Sequence, residues 1–172
     1  MNKITVSKAL PDQFAAVADI GRRTFYETWS YMNTEEDMQL YMAEAFNEDL
    51  IKKELVSPEY TFLLAEMDGE LIGYTKLRTD RTYPEFKDSR PIEMERLYVF
   101  KTHHERKAGK ALMEESIRIA RTDKFDWLWL GVYAENHRAI NFYTNFGFVK
   151  FGIKTFKLGN VIDQDDLMKM KL

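Results

Sequence analysis

Between Met94 and Met113 the chain reads Met-Glu-Arg-Leu-Tyr-Val-Phe-Lys-Thr-His-His-Glu-Arg-Lys-Ala-Gly-Lys-Ala-Leu-Met. This is a strand-like stretch, a loop crowded with cations, and the start of a helix. A strand that passes to a helix through a loop rich in Arg, Lys and Gly suits phosphate binding. The free N–H groups of the first helical turn point at the anion, and the helix dipole favours negative charge there. The loop and first turn comprise His104, Glu105, Arg106, Lys107, Ala108, Gly109, Lys110 and Ala111. The plain alternative is a solvated charged turn before an ordinary helix. In the strand, Glu93 and Glu95 are two residues apart and are expected on one face. Buried carboxylates need a compensating role. These two are placed either to take a proton or hold a cation, or else to pair with Arg96 or sit at an exposed strand end.

The elements that must position these groups follow from pattern. Ile4 to Ser7 alternates like a first strand, and Pro11-Asp12 opens a helix with Phe14, Val17, Ala18, Gly21 and Phe25 at helical spacing. Thr34 with Asp37 resembles a capping box for a second helix through Ala45, and Asn47 caps a third that ends near Val56. Thr61–Met67 and Glu70–Leu77 flank Asp68-Gly69, a two-residue hairpin signal. Asp80 to Arg90 reads as a polar loop and Ile92–Phe100 as a strand. A helix over Gly109–Thr122 and an almost wholly apolar strand over Trp127–Tyr133 follow. Asn136 caps a helix with Ala139, Phe142, Tyr143 and Phe146 at i, i+3, i+4 and i+7, stopped by Gly147. Phe148–Leu158 and Asp166–Leu172 read as a closing antiparallel pair around Gly159-Asn160. The order β, α, α, α, β, β, β, α, β, α, β, β predicts an α/β domain with helices on both faces of one sheet and a βαβ core from Ile92 to Tyr133.

Composition limits the chemistry further. At 172 residues, 45% hydrophobic and 14% aromatic, the chain suffices for one domain with a proper core. A net charge of −3 argues against general nucleic-acid binding, which needs a basic surface. No apolar run approaches the ~18 residues of a membrane span, and the first residues lack the apolar core of a signal peptide, so the expectation is a cytoplasmic protein. The absence of Cys removes thiolate metal sites and any Cys nucleophile. The spacing of His103, His104 and His137 lacks the pattern of a zinc site, and no metal is expected.

Glu135-Asn136-His137-Arg138-Ala139-Ile140-Asn141-Phe142-Tyr143-Thr144-Asn145-Phe146-Gly147-Phe148 carries Asn-x-x-Ala-Ile-x-Phe-Tyr-x-x-x-Gly-Phe. This resembles the C-terminal motif of GCN5-related N-acetyltransferases (GNATs), which transfer an acetyl group from acetyl-CoA to an amine. The element order is similar across essentially the whole chain. The N-terminal helices, the Glu-Arg-Leu-Tyr-Val strand, the Trp-Leu-Gly-Val-Tyr-Ala-Glu-Asn segment and the Asp-Leu-Met-Lys-Met tail look most like bacterial PaiA-type polyamine N-acetyltransferases. The resemblance implies a single GNAT domain over residues 1–172, with a mixed, mostly antiparallel sheet and helices on both faces. The family's phosphate pattern is Gln/Arg-x-x-Gly-x-Gly/Ala. Here His104 replaces Gln/Arg and Lys107 replaces the first Gly, where a positive φ costs more than for Gly. Arg106, Lys107 and Lys110 keep the loop cationic.

By the same resemblance Tyr143 is the general acid for the departing sulfur, a role suited to a phenol with an ordinary pKa near ~10. Its spacing alone favours a core Tyr on an amphipathic helix, and the motif carries the catalytic reading. Leu97, Tyr98 and Val99 would offer backbone groups to the pantetheine arm, with Asn136, Ala139 and Phe142 close to the cofactor. Asn136 also reads as a plain helix N-cap. Tyr26, Glu27 and Trp29, with acids at Glu35 to Asp37, would line an amine pocket for spermidine or spermine; for the three acids a solvated, dipole-complementing helix start is the better reading. Without Cys, direct attack in a ternary complex is the implied route. The rival readings are acetylation of a peptide N-terminus or Lys, and a non-catalytic acyl-CoA-binding module. The resemblance also implies a homodimer paired through the C-terminal strands.

Overall fold

A computed structural model describes residues 3–172. Seven strands form one sheet in the order β1-β2-β3-β4-β5-β7-β6. They are β1 (Ile4–Lys8), β2 (Tyr60–Met67), β3 (Glu70–Arg78), β4 (Pro91–Val99), β5 (Trp127–Tyr133), β6 (Val149–Leu158) and β7 (Val161–Lys171). Helices α1 (Phe14–Trp29), α2 (Glu35–Ala45) and α3 (Glu48–Val56) share one core with residues of β2 and β3, around Phe25, Phe46, Phe62 and Tyr74. Helices α4 (Ala108–Thr122) and α5 (His137–Asn145) cover the other face, where Met113, Leu128, Leu130 and Phe148 are buried. The expected element order and two-faced layering are both present.

The local signals act as their chemistry dictates. Thr34 Oγ1 accepts from the Asp37 amide at 3.2 Å, and Asn47 Oδ1 accepts from Asp49 and Leu50. Asp68 and Gly69 both take positive φ, 54° and 82°, as a two-residue hairpin turn requires. Most boundaries fall within a residue of the sequence reading, and two stretches depart from it further. The polar loop before β4 contains a 3-10 turn, Pro84–Phe86, whose Phe86 is buried against Trp127, Trp129 and Phe151. That turn covers a face of β5 that would otherwise expose Trp129. β7 begins at Val161 instead of Asp166, because the tight turn at Gly159-Asn160 pairs Leu158 with Val161 and keeps the acidic run in the ladder.

Every strand pair is antiparallel except β4–β5. That parallel pair is joined only from Pro91↔Trp127 to Glu93↔Trp129. Beyond it β4 stays with β3 and β5 stays with β7, so the sheet opens between them. β4 also carries an extra residue. Lys76 pairs with Arg96 but Leu77 pairs with Met94, leaving Glu95 as a bulge. A bulge bends its strand and increases local twist, which carries β4 away from β5. It also resets the faces. Met94 and Leu97 pack on the α4–α5 side, whereas Arg96 stacks over Phe46 and Tyr98 joins the α1 side.

Candidate active site

The opening between β4 and β5 is a cavity of about 700 Å³. One end is built for an anion. α4 begins at Ala108, and its first intrahelical bond inside the turn runs from Ala111 N–H to Lys107 C=O, so the amides ahead of Ala111 are free of helical partners. Lys107 takes φ 65°, ψ 16°, the left-handed conformation expected where the family pattern carries Gly. This geometry costs a side-chain-bearing residue about 1–2 kcal/mol. Lys107→Gly relieves that strain against an added chain-entropy cost of about 0.5–1 kcal/mol, and a net gain of about 1 kcal/mol is expected to raise Tm by about 2–4 °C, read by thermal melting. A lower Tm would show that the Lys side chain outweighs its strained backbone. A Cβ on Gly109 would meet Phe142 at 3.9 Å and Val99 at 4.0 Å, ordinary van der Waals distances that displace neither.

His104 joins the two sides of the opening. Its Nε2 donates to the Val99 carbonyl at 2.9 Å, and its Nδ1 accepts from Arg138 Nη1 at 2.7 Å. Arg has only donors, so the imidazole is the neutral Nε2–H tautomer. Burial lowers its pKa, and the neighbouring Arg138 adds to that effect. The side chain that departs from the family pattern thus fastens the end of β4 to the start of α5. Asn136 caps α5 by accepting from the Ala139 amide at 3.1 Å. This cap sets the helix so that Ala139, Phe142 and Tyr143 line the cavity. Tyr143 is half-buried, packed 5.5 Å from Phe142 and 5.8 Å from Phe148. Burial, helped by Tyr98, pushes its phenol above the ordinary range.

The other end is acidic and aromatic, lined by Trp29, Tyr41, Glu93, Glu95, Tyr133, Asp163 and Asp165. The two glutamates of β4 are chemically distinct. Burial opposes ionisation of Glu95, but Lys76, Arg96 and Arg78 overcome it and hold the carboxyl at about 2. Lys76 Nζ lies 2.8 Å from its Oε2, and Arg78 Nη1 donates to its Oε1 at 2.8 Å. Glu93 is 1% exposed, and its Oε2 has no hydrogen-bond partner among the described residues. Burial pushes its pKa up, with Glu95 adding to the rise against the pull of Arg81. A carboxylate poised upward and facing a cavity has the character of a proton acceptor.

Leu97, Tyr98, Val99, His104, Glu105, Lys107, Gly109, Lys110, Asn136, Ala139, Phe142 and Tyr143 converge on the cavity together with Glu93 and Glu95. Arg106 is exposed, Ala108 is buried at the start of α4, and Ala111 is half-buried; none of the three lines it. Trp29 does, and its Nε1 donates to the Tyr98 hydroxyl at 3.0 Å. Tyr26 and Glu27 do not. A helix turns about 100° per residue, so Phe25, Thr28 and Trp29 face the opening while Tyr26 and Glu27 face a separate groove. There Tyr26 donates to Glu35 at 2.8 Å, and Glu27 accepts the Lys101 amide at 2.9 Å. Sequence reasoning missed Arg81, Lys154, Asp163 and Asp165. They come from a loop and from the last hairpin, and no spacing rule relates them to β4. Among the described residues no group of three His, Asp or Glu side chains converges as a metal site would.

A sheet split at one parallel pair, with an anion-binding helix start on one side and a Tyr-bearing helix on the other, is the cleft of an acyl-CoA-dependent acyltransferase. Residues 17–148 match the sequence model of the acetyltransferase (GNAT) family, and the chain belongs to that family. It is an N-acetyltransferase with acetyl-CoA as co-substrate. It is 36% identical over 165 residues to an uncharacterized N-acetyltransferase in the pepI 3′ region of Lactobacillus delbrueckii subsp. lactis, covering 96% of this chain and 93% of that one. Its fold is similar to that of PaiA N-acetyltransferase from Thermoplasma acidophilum in complex with coenzyme A, with TM-score 0.76, 21% identity and 99% of each chain covered. It is also similar to the ribosomal-protein-S18-alanine N-acetyltransferase of Escherichia coli, with TM-score 0.72, 16% identity and 98% and 94% covered. At these two identities the likeness is one of fold.

The residues present fit the co-substrate. The free amides before Ala111, with Lys107, Lys110 and Arg138, suit a pyrophosphate. The backbone of Leu97 to Val99, freed from β5 by the splay, can pair with the pantetheine amides. No helix of the described residues is long and apolar enough to cross a membrane.

Proposed function

We propose that this enzyme acetylates a primary amine of a polyamine such as spermidine or spermine, by direct transfer within a ternary complex. The observation that carries the reading is the acceptor end of the cavity. Glu93, Asp163 and Asp165 stand there beside Trp29, Tyr41 and Tyr133, a set suited to ammonium groups through ion pairing and cation–π contact. Trp29 and Tyr133 meet edge to face at 5.7 Å and form an aromatic wall.

In this mechanism Glu93 takes the proton that the acceptor ammonium must lose before it attacks the thioester carbonyl. The new N–C bond replaces the C–S bond, and Tyr143 gives its phenolic proton to the departing sulfur. Glu95 stays ionised under Lys76 and Arg78 and keeps the bulge in place. The acceptor is tested by the amines that trigger CoA release. Spermidine and spermine are expected to do so, with N-acetylated product seen by mass spectrometry. Release driven by an N-terminal peptide or a Lys peptide, and not by polyamines, would overturn the assignment.

A further inference from the structure

Besides Arg96, which stacks over Phe46 at 4.4 Å, the acceptor end has two kinds of cation at or beneath its wall. Lys76 and Arg78 are locked in place. Lys76 Nζ sits 2.7 Å from Glu54 and 2.8 Å from Glu95, Arg78 sits 2.8 Å from Glu95, and their side chains are 3% and 9% exposed. Arg81 and Lys154 are held loosely. The Arg81 guanidinium stands 3.6 Å from Glu93 and 3.4 Å from Glu95 with 48% of its side chain exposed. Lys154 Nζ stands 3.8 Å from Asp165 with 28% exposed. All three separations exceed the usual N–H···O range of about 2.7–3.2 Å. The acids are largely buried, but the long separations and the solvent-exposed cation ends leave these pairs loosely coupled.

Their placement is nevertheless specific. Lys154 lies over Gly131, where a Cβ would meet its Nζ at 2.9 Å, so the ammonium fills the gap where β5 leaves β4. Glu93 is almost wholly buried and still has an oxygen with no hydrogen-bond donor. Such a group is costly unless a donor arrives. Arg81, at 3.6 Å, does not supply that bond.

We propose that Arg81 and Lys154 are tethered stand-ins for the nitrogens of the acceptor. They mark two cation subsites, one at Glu93–Glu95 and one at Asp165, which a substrate with two or more amino groups occupies by displacing them. This deepens the polyamine reading and rests on it. Without substrate the two side chains keep the acids compensated; because they are loosely held, displacement costs little. A monoamine replaces only one of them. An amine carrying a carboxylate gains nothing, since the subsites are anionic once the side chains withdraw.

The test uses the full chain saturated with CoA and measures putrescine, spermidine and n-butylamine binding by calorimetry, in the parent, Arg81→Gln, Lys154→Met and the double variant. Removing a competing internal cation is expected to lower the Kd for putrescine and spermidine by about threefold or more per substitution, with a smaller change for n-butylamine. Thermal melting checks folding, and Lys154→Gln replaces Lys154→Met if the latter fails to fold. Unchanged or weaker diamine binding in folded variants overturns the inference. Turnover of spermidine by the parent is scored separately. Tighter diamine binding without turnover leaves the subsites standing and removes the polyamine reading. Turnover with unchanged affinities does the reverse.

Discussion

Replacing Tyr143 with Phe lowers kcat by about 10²–10³-fold while leaving acetyl-CoA affinity within about twofold. A positioned general acid contributes about 10²–10⁴-fold, and the substitution removes one oxygen while leaving the ring. That ring packs between Phe142 and Phe148, so the α5 core should keep its shape. Burial raises the phenol pKa, so the proton is present throughout the neutral range, when the sulfur departs. The readout is steady-state kcat beside a calorimetric Kd for acetyl-CoA. A loss of affinity as large as the loss of turnover would make Tyr143 a packing residue.

Glu93→Gln is expected to lower kcat/KM by about 10²-fold and to abolish the acidic limb of its pH profile. The sign follows from the environment. Glu93 works as a base only when ionised, and burial raises its pKa above the ordinary carboxylate value of ~4.3. Parent activity therefore falls as pH drops through a value raised above that of an ordinary carboxylate. The Gln variant, with nothing to protonate there, shows a low plateau. Glu95 cannot produce that limb, since its cationic neighbours hold it at about 2. If Glu93→Gln retains full activity with its acidic limb intact, the base lies elsewhere.

Much of this arrangement is legible in the sequence because it is local. Thr34, Asn47 and Asn136 cap helices through hydrogen bonds spanning only a few residues. Asp68-Gly69 turns a hairpin with no help from distant groups, and the Lys107 backbone adopts the left-handed geometry that its place in the phosphate pattern demands. What stays hidden depends on partners far along the chain. The bulge at Glu95 is a register event between β3 and β4, so counting by twos on β4 cannot show that Arg96 and Tyr98 face α1 while Met94 and Leu97 face α4. Tyr26 and Glu27 are the right types for an amine pocket, yet the phase of α1 is fixed by the burial of Val17, Ile20, Gly21 and Phe25. Lys154, Asp163 and Asp165 reach the cavity only because β7 inserts between β5 and β6.

In this mechanism a single cavity holds both substrates, and the amine attacks the acetyl thioester directly. CoA release followed with a thiol reagent, varying acetyl-CoA against spermidine, distinguishes this from a route through an acetylated enzyme. The chain has no Cys to contribute background. Direct transfer gives one thiol released per N-acetylspermidine formed and intersecting double-reciprocal lines, with release absent when either substrate is withheld. Acetyl-CoA binding without amine-dependent release, or parallel lines from an acetylated enzyme, would contradict it.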